Sequence, residues 1–241
     1  MLKVEGLSKR FGGITALDEV TFEINEGEIV GLVGPNGAGK TTLINIINGI
    51  LKPDNGKIIF NGRDITGLNP FEICKMGISR TFQSVQVFHE LNAIENVAIG
   101  AMFGNSEKSI EEAKEHAIEL LRFVGFPENL FYTSVDRLNF VELKRIQLAR
   151  ALATDPQVIM LDEVTTGLTP SECDEAVKLI KKIRKKGITI LMVEHIMRII
   201  MKACDRIIVL NLGKKIAEGT PDEVANNEKV IESYLGERFL W

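Results

Sequence analysis

The chain has 241 residues, 45% hydrophobic and 26% charged, a composition typical of a globular protein with a substantial buried core. Its 29 Lys and Arg against 33 Asp and Glu leave a formal charge of −4, so no basic field predicts nucleic acid as a partner. The N-terminus lacks an apolar signal-peptide core, and no run approaches the roughly 18 to 20 apolar residues of a membrane span, so we expect a cytosolic chain.

The N-terminal segment, residues 1 to 27, alternates apolar and polar positions, which favours antiparallel strands. The apolar positions of this alternation are Leu2, Val4, Leu7, Val20, Phe22 and Ile24. A turn-like pair, Gly12-Gly13, separates the two runs, and residues 57 to 60 add a further strand. These segments predict a small antiparallel sheet.

A glycine-rich segment lies between the apolar run at 29–33 and a helix-like run at 43–48. It reads Gly34-Pro35-Asn36-Gly37-Ala38-Gly39-Lys40-Thr41-Thr42. Glycines expose consecutive N–H groups to an anion, and the helix that follows directs its positive end at the same point. The pattern predicts a phosphate-binding loop, with Lys40 reaching the β- and γ-phosphates and the Thr41 hydroxyl suiting Mg²⁺. The alternative is a glycine-rich turn that binds nothing.

The second half of the chain carries continuous apolar runs at 158–161, 188–193 and 206–210, separated by helix-length segments. Such runs are typical of a parallel sheet covered on both faces. Residues from about 86 to 153 are predicted to be mostly helical. Asn105 and Ser106 are the candidate N-caps of a helix with an apolar stripe. The stripe consists of Ile110, Ala113, Ala117, Leu120, Leu121 and Val124.

Two carboxylates, Asp162 and Glu163, follow the predicted buried strand at 158–161. We expect Asp162 to orient Mg²⁺ and Glu163 to act as a general base that activates water, an effect worth about 10²- to 10⁴-fold in rate. By themselves these carboxylates would also fit a solvent-exposed strand end. The phosphate loop favours the catalytic interpretation, because a nucleotide site needs such a second acidic element.

The order of these motifs resembles the ATPase subunits of ABC transporters over essentially the whole chain. The resemblance implies an α/β fold: a P-loop NTPase core with a mostly parallel sheet, an antiparallel β subdomain and a helical subdomain. It assigns residues 1–85 to the β subdomain and P-loop core, 86–153 to the helical subdomain and 154–241 to the rest of the core. ATP and Mg²⁺ are the implied cofactors.

Three further residues match the family by position. Phe11, in Lys9-Arg10-Phe11-Gly12, corresponds to the aromatic that stacks on adenine. Gln83, in Arg80-Thr81-Phe82-Gln83, corresponds to the glutamine that reaches Mg²⁺ and the attacking water. His195 follows a predicted strand, as the family's switch histidine does, and would contact the γ-phosphate.

Within the family, several short sequence segments are most similar to those of branched-chain amino acid importers, although lipopolysaccharide-export ATPases share many of them. The matching segments are Ile78-Ser79-Arg80-Thr81-Phe82-Gln83, Glu95-Asn96-Val97, Leu143-Lys144-Arg145, Gly167-Leu168-Thr169-Pro170 and Ser233-Tyr234-Leu235-Gly236-Glu237. By resemblance, residues 71–77 and 85–95 would receive the coupling helices of a transmembrane permease. Such a subunit lies on the inner face of the cell membrane and never touches the transported solute.

The signature motif departs from the family pattern, Leu-Ser-Gly-Gly-Gln or Leu-Ser-Phe-Gly-Gln. Here it reads Leu138-Asn139-Phe140-Val141-Glu142. In the family, this serine and glycine grip the γ-phosphate of nucleotide held by the other subunit. Asn139 can cap the helix and Val141 adds a branched side chain at the contact, so we expect a weakened trans contact.

The departures are asymmetric. Val164 and Thr169 replace the proline and the acidic or amide residue that the family usually has after the carboxylates. The elements that serve the chain's own site match the family, whereas those that serve a partner's site are altered. This favours a heterodimer with a second ABC ATPase subunit over a homodimer.

Other interpretations remain open from sequence. One is a nucleotide-gated binding or regulatory module that scarcely hydrolyses ATP. Others are a lipopolysaccharide-export ATPase, a soluble ABC protein acting on nucleic acid, and a P-loop kinase. The last two fit poorly, because the chain offers neither a second cassette nor an acceptor-binding lid.

Overall fold

The secondary structure follows the hydrophobic periodicity of the sequence. The computed structural model describes residues 1–106 and 108–234. Strands in the described residues are β1 (Leu2–Phe11), β2 (Ile14–Ile24), β3 (Ile29–Val33), β4 (Asn55–Phe60), β5 (Arg63–Asp64), β6 (Ile78–Arg80), β7 (Val158–Asp162), β8 (Thr189–Val193), β9 (Arg206–Asn211) and β10 (Lys214–Gly219). Helices are α1 (Lys40–Ile47), α2 (Pro70–Lys75), α3 (Ala93–Phe103), α4 (Ile110–Phe123), α5 (Phe140–Leu152), α6 (Pro170–Lys185), α7 (Met197–Ala203), α8 (Pro221–Ala225) and α9 (Glu228–Tyr234).

The predicted antiparallel sheet is confirmed. Within the described residues it has the order β2-β1-β4-β5. Val4 pairs with Phe22 on one side and with Ile58 on the other. These side chains are buried, since alternate residues of a strand point to the same face of a sheet.

The apolar runs of the second half form a second, mostly parallel sheet, as predicted. Its order in the described part of the chain is β10-β9-β3-β8-β7-β6, and only the β10–β9 pair is antiparallel among those strands. Every residue of β3, β7 and β8 is buried. Because Asp162 pairs with Val193, and Leu32 also pairs with Val193, the carboxyl ends of these three strands lie at one edge.

The two faces of this parallel sheet belong to two separate apolar clusters. Ile29 and Val33 point towards the cluster that contains α3 to α5, whereas Val30 and Leu32 point towards the antiparallel sheet and α1. Alternate residues of β3 therefore pack into different apolar clusters, so this one buried strand contacts both halves of the core.

The predicted start of α4 was wrong. Ser109, rather than Asn105 or Ser106, is the N-cap: its hydroxyl accepts a hydrogen bond from the Glu112 N–H, and the Glu112 carboxylate accepts one from the Ser109 N–H. Asn105 instead donates its N–H to the Thr154 carbonyl, and Ser106 bonds to Asp155. Both residues are tied to the loop after α5, which sequence spacing did not reveal.

Two further observations concern the chain as a whole. No helix among residues 1–106 and 108–234 is long and apolar enough to cross a membrane. Of the importer-like segment Ser233–Glu237, the last three residues, Leu235, Gly236 and Glu237, lie outside the described residues.

Candidate active site

The glycine-rich segment forms the loop between β3 and α1. Gly39 immediately precedes α1 with φ of 102°, and a Cβ there would lie 2.5 Å from the Ala16 carbonyl oxygen. Gly37 has φ of 77°, and a Cβ there would meet nothing within 4 Å. Glycine is thus required by close packing at Gly39 and by conformation at Gly37. In the part of the chain that the structure describes, no side chain caps the N-terminus of α1, so its first N–H groups remain directed at the loop.

Lys40 is the loop residue whose side chain turns back over the backbone. Its ammonium donates to the carbonyl oxygens of Gly34 at 2.6 Å and Pro35 at 3.0 Å, and the residue is buried. These bonds place a cation beside the exposed Asn36 and Gly37 of the loop. Thr41 is exposed and Thr42 is half-buried, immediately after the lysine. The arrangement can receive a polyphosphate at the loop.

Asp162 at the end of β7 is buried and pairs with an arginine whose role the sequence did not predict. One Arg80 nitrogen lies 2.7 Å from Oδ2 of Asp162, and another lies 2.5 Å from Oδ1 of Asn45 on α1. The side chains of Arg80 and Asp162 are only 6% and 7% exposed. Arg80 therefore joins the carboxylate of β7 to the helix that follows the phosphate loop. In the sequence, Arg80 stood out only as a member of the family-like segment Arg80–Gln83.

Glu163 contacts two of the other predicted side chains, Gln83 and His195. The Gln83 side-chain amide donates to Oε2 at 2.8 Å, and Nε2 of His195 lies 2.6 Å from Oε1. The Glu163 backbone has φ of 50°, in the left-handed region, and its N–H donates to the Val193 carbonyl. A non-glycine residue with this φ requires support from its surroundings, and β8 supplies part of it.

A second carboxyl, Glu194, lies beneath this cluster and was not predicted. It is buried, and its Oε1 accepts the Thr165 N–H at 2.9 Å. Burial raises the pKa of Glu194 above its ordinary value of 4.5, although the Thr165 hydrogen bonds act in the opposite direction. Glu194 lies between the end of β8 and His195, so its hydrogen bond connects the loop after Glu163 to this point of the chain.

Phe11 lies at the end of β1 and presents its ring to solvent. The side chain is 46% exposed, and the Lys9 ammonium lies 5.6 Å from the ring centroid. An exposed aromatic ring can stack on a flat base.

The signature residues Asn139 and Val141 lie at the start of α5. The Asn139 side chain accepts the Glu142 N–H at 3.0 Å, while the Glu142 carboxylate accepts the Asn139 N–H at 2.8 Å. This capping box stabilises the helix and commits the Asn139 oxygen to it. Within the described residues, the hydrogen bonds of Asn139 stay inside the first turns of α5, away from the Glu163 cluster. Thr169 likewise caps α6 through Glu172.

The candidate metal ligands are oxygen donors of different kinds. The Thr41 hydroxyl, the Gln83 carbonyl oxygen and the Asp162 carboxylate are hard ligands, which suit Mg²⁺ better than a softer transition metal. The described residues contain no cluster of three His, Cys, Asp or Glu side chains fit to hold a metal by themselves. The donor set thus fits an ion bound by few protein ligands together with phosphate oxygens.

Comparisons with known proteins agree with this geometry. The family described as "ABC transporter" matches residues 17–166, and that described as "Branched-chain amino acid ATP-binding cassette transporter" matches residues 214–239. The high-affinity branched-chain amino acid transport ATP-binding protein BraF of Pseudomonas aeruginosa is 36% identical over 254 residues. LivG of Escherichia coli, which bears the same description, is 38% identical over 251 residues. Each alignment covers 98% of both chains.

Solved structures show the same fold. An ATP-binding cassette of an ABC transporter in its ADP conformation is 35% identical to this chain, with a TM-score of 0.89. The alignment covers 98% of this chain and 99% of that one. A dimeric bacterial ABC transporter cassette is 30% identical, with a TM-score of 0.83, and covers 92% of this chain and 99% of its own. The α/β fold with a P-loop core is therefore that of an ABC ATPase. The chain belongs to the ABC transporter family as an ATP-binding subunit, an ATPase of the kind that is coupled to transport.

Proposed function

We propose that the chain energises import of branched-chain amino acids through a membrane permease, at the inner face of the cell membrane, as one half of an asymmetric heterodimer. Two relatives described as branched-chain amino acid transport ATP-binding proteins align over 98% of the chain. The importer-specific family match covers residues 214–239. The transported solute would stay within the permease and never reach this chain.

The observation that carries the heterodimer is the contrast between two sets of residues. Gln83 and His195 both contact the Glu163 carboxylate, which supports a role for these three residues at the chain's own nucleotide. Asn139 is used to cap α5, and Val141 replaces the glycine at which a backbone would approach a phosphate. One site would hydrolyse ATP with help from a partner's intact signature, and the opposite site would bind ATP with little turnover.

The proposed reaction is hydrolysis of ATP by water to ADP and phosphate. As the water oxygen attacks the γ-phosphorus, the Glu163 carboxylate accepts its proton, and the bond to the β,γ-bridging oxygen breaks. Gln83 and His195 hold the carboxylate by its two oxygens, which fixes the direction of proton transfer. Lys40 would stabilise the charge on the transferred phosphoryl group. Mg²⁺ held by Thr41, Gln83 and Asp162 would supply further charge neutralisation.

The permease contact is proposed for residues 71–77 and 85–95. Phe71 on α2 and Phe88 in the second segment are exposed. Asn96, fully buried on α3, accepts the Phe88 N–H at 2.9 Å and donates to the Phe88 carbonyl at 3.0 Å. The loop is therefore shaped by a buried amide while its aromatic ring is presented outwards, as a docking surface requires.

The test is steady-state ATP hydrolysis by the purified chain alone, then mixed with an ABC ATPase subunit that has an intact signature. Negligible activity alone, activity on mixing and its loss in Glu163→Gln would support the heterodimer and the assignment of the base. Brisk hydrolysis by the lone chain would contradict the asymmetry. Uptake of radiolabelled leucine by vesicles that contain the permease then tests the solute, and transport of lipopolysaccharide instead would overturn the importer.

A second candidate is a hydrolysis-poor, nucleotide-gated regulatory module. The replacement of the signature glycine by Val141 favours it, because a branched side chain stands where a backbone N–H would approach a phosphate. It predicts ATP-dependent dimerisation without turnover, whichever partner is added. Size-exclusion chromatography with Glu163→Gln and ATP, compared with the hydrolysis assay, separates the two functions.

A further inference from the structure

The segment after β7, residues 163–168, is named here the post-β7 loop, and a side chain from α5 holds it. The Lys144 ammonium donates to three of its carbonyl oxygens: Glu163 at 3.0 Å, Val164 at 3.2 Å and Thr166 at 2.8 Å. An ammonium has three N–H donors, so these bonds use its full capacity. Burial lowers the pKa of Lys144, as expected of an ammonium withdrawn from water, although the carboxylates of Glu194 and Glu163 act in the opposite direction.

The loop is held from its opposite side as well. The Glu163 N–H donates to the Val193 carbonyl at 2.9 Å, and the Thr165 N–H donates to the Glu194 carboxyl at 2.9 Å. N–H groups of the loop thus bond to the end of β8, while its carbonyl groups face Lys144. The left-handed φ of 50° at Glu163 lies between these two sets of bonds. Such a backbone conformation persists only where the surroundings enforce it.

A cavity and an aromatic side chain lie next to Lys144. The cavity, of about 280 Å³, is lined by α5, α6 and the post-β7 loop. Its lining includes Val141, Lys144, Leu148, Val164, Leu168 and Leu179. Phe140 on α5 also lies beside the loop, because a Cβ built on Gly167 would come within 3.0 Å of its ring. Lys144 therefore adds polar bonds to an aromatic contact between α5 and the loop.

The same helix begins at the signature motif. Lys144 is five residues after Asn139, about one and a half helical turns. Further along α5, Gln147 donates to the Ser84 carbonyl at 3.3 Å, and Arg150 bonds to the Gln86 carbonyl. A small displacement of α5 would therefore move both the loop that carries Glu163 and the segment after Gln83.

We infer that Lys144 is a positioning residue, which couples the placement of the signature helix α5 to the backbone of Glu163. Nucleotide bound by the partner would draw α5 into place through the signature, and Lys144 would then hold the post-β7 loop in the conformation that aims the Glu163 carboxylate. The inference rests on the proposed function, in which Glu163 is the base. Through Lys144, the weakened signature would also influence the chain's own nucleotide site.

The test uses the full chain with a signature-intact ABC ATPase partner. Lys144→Met removes the donors and keeps the length, and Lys144→Arg restores donors. Arg145→Met is the matched control, since Arg145 is the next cation on α5 but bonds to Gly125 and pairs with Glu175. We expect Lys144→Met to lower kcat by about ten- to a hundredfold with KM for ATP within about twofold, as for misplaced catalytic groups. Arg145→Met should leave both within about twofold.

Hydrogen–deuterium exchange of the peptide that covers residues 163–168 gives a readout independent of hydrolysis. In the wild type, partner and ATP should increase its protection. In Lys144→Met, protection should be lower and should not respond, while peptides from β7 and α6 exchange as in the wild type. Lys144→Arg should recover most of the protection and of kcat.

The outcomes separate the two proposals. Wild-type protection and kcat in Lys144→Met would overturn the inference, as would equal losses in Lys144→Arg and Lys144→Met. If no partner elicits hydrolysis from the wild type, the proposed function fails, yet the exchange response still decides whether Lys144 couples α5 to the loop. A fall in kcat with unchanged loop protection would also overturn it, because the loss would then arise elsewhere.

Discussion

The His195 imidazole and the Glu163 carboxylate are 2.6 Å apart, from Nε2 to Oε1, although 32 residues separate them along the chain. His195 follows β8 and Glu163 follows the neighbouring β7, and the parallel pairing of these strands brings their carboxyl ends together. The second Glu163 oxygen accepts the Gln83 hydrogen bond at 2.8 Å. Both oxygens of the proposed base are therefore held.

His195→Ala removes one of these two contacts. We expect kcat for ATP hydrolysis, in the presence of a competent partner, to fall about 10²- to 10³-fold, as when one donor to developing charge is removed. ATP binding, measured by isothermal titration, should change little, because the phosphate loop and Phe11 are untouched. Retention of more than half of the activity would contradict the assignment of His195. The half-exposed side chain makes a folding defect a poor explanation for a loss.

Restoring the signature should raise hydrolysis by the lone chain. In the double variant Asn139→Ser, Val141→Gly, serine preserves the N-cap of α5 and glycine removes the branched side chain. We expect kcat of the chain alone to rise at least about tenfold, and the free energy of unfolding to fall by about 1 kcal/mol or less.

The control for this restoration is Val141→Ala, which removes the branch but keeps a Cβ at the expected phosphate contact. It should recover much less activity than the glycine variant. Equal activity in the wild type and the double variant would show that the altered signature does not limit turnover.

Arg80→Met tests the buried pair that was found only in the structure. It leaves the Asp162 carboxylate buried without its 2.7 Å partner and removes the bond to Asn45. Breaking a buried pair in this way costs about 3–5 kcal/mol, which for a chain of this size lowers Tm by at least about 6 °C. Differential scanning calorimetry measures the shift. The exposed pair of Arg122 and Glu128 supplies the control, Arg122→Met, whose Tm should equal that of the wild type within error.

Glu194 predicts a pH-dependent stability. Because its pKa is raised in the folded chain, its stabilising contribution is fully present below about pH 4.5 and is lost as the pH rises through the folded pKa. In Glu194→Gln the amide oxygen can still accept the Thr165 N–H, and nothing titrates. We therefore expect Tm of the variant minus Tm of the wild type to become more positive between pH 4.5 and 8. A difference independent of pH would show that Glu194 titrates alike in both states.

Phe11→Ala should weaken nucleotide binding and spare catalysis. Stacking of a base on an aromatic ring is worth about 1–3 kcal/mol, so Kd for ATP should rise about 5- to 150-fold, with kcat at saturation within about twofold. Phe11→Trp keeps a stacking surface and should bind ATP as the wild type does. Since the ring is exposed, Tm should not change. An unaltered Kd in Phe11→Ala would place adenine elsewhere.

Features that depend on short spacing could be predicted from the amino-acid sequence alone. The alternation in β1 and β2, the buried runs of β7 to β9 and the strand, glycine loop and helix around Lys40 were all predicted, because each pattern is local to its element. The similarity to importer ATPases was likewise visible in the sequence, and relatives align with it over nearly the whole length.

The contacts between side chains that are distant in the sequence became known from the three-dimensional fold. The Arg80–Asp162 pair spans 82 residues and the bond from Glu194 to Thr165 joins two strand ends, while Lys144 reaches back from α5 to the Glu163 backbone. Ser109, not the earlier Asn105 or Ser106, caps α4, since those two are tied to the loop after α5. Such contacts depend on how strands align and where helices cross, and no residue spacing along the sequence encodes them directly.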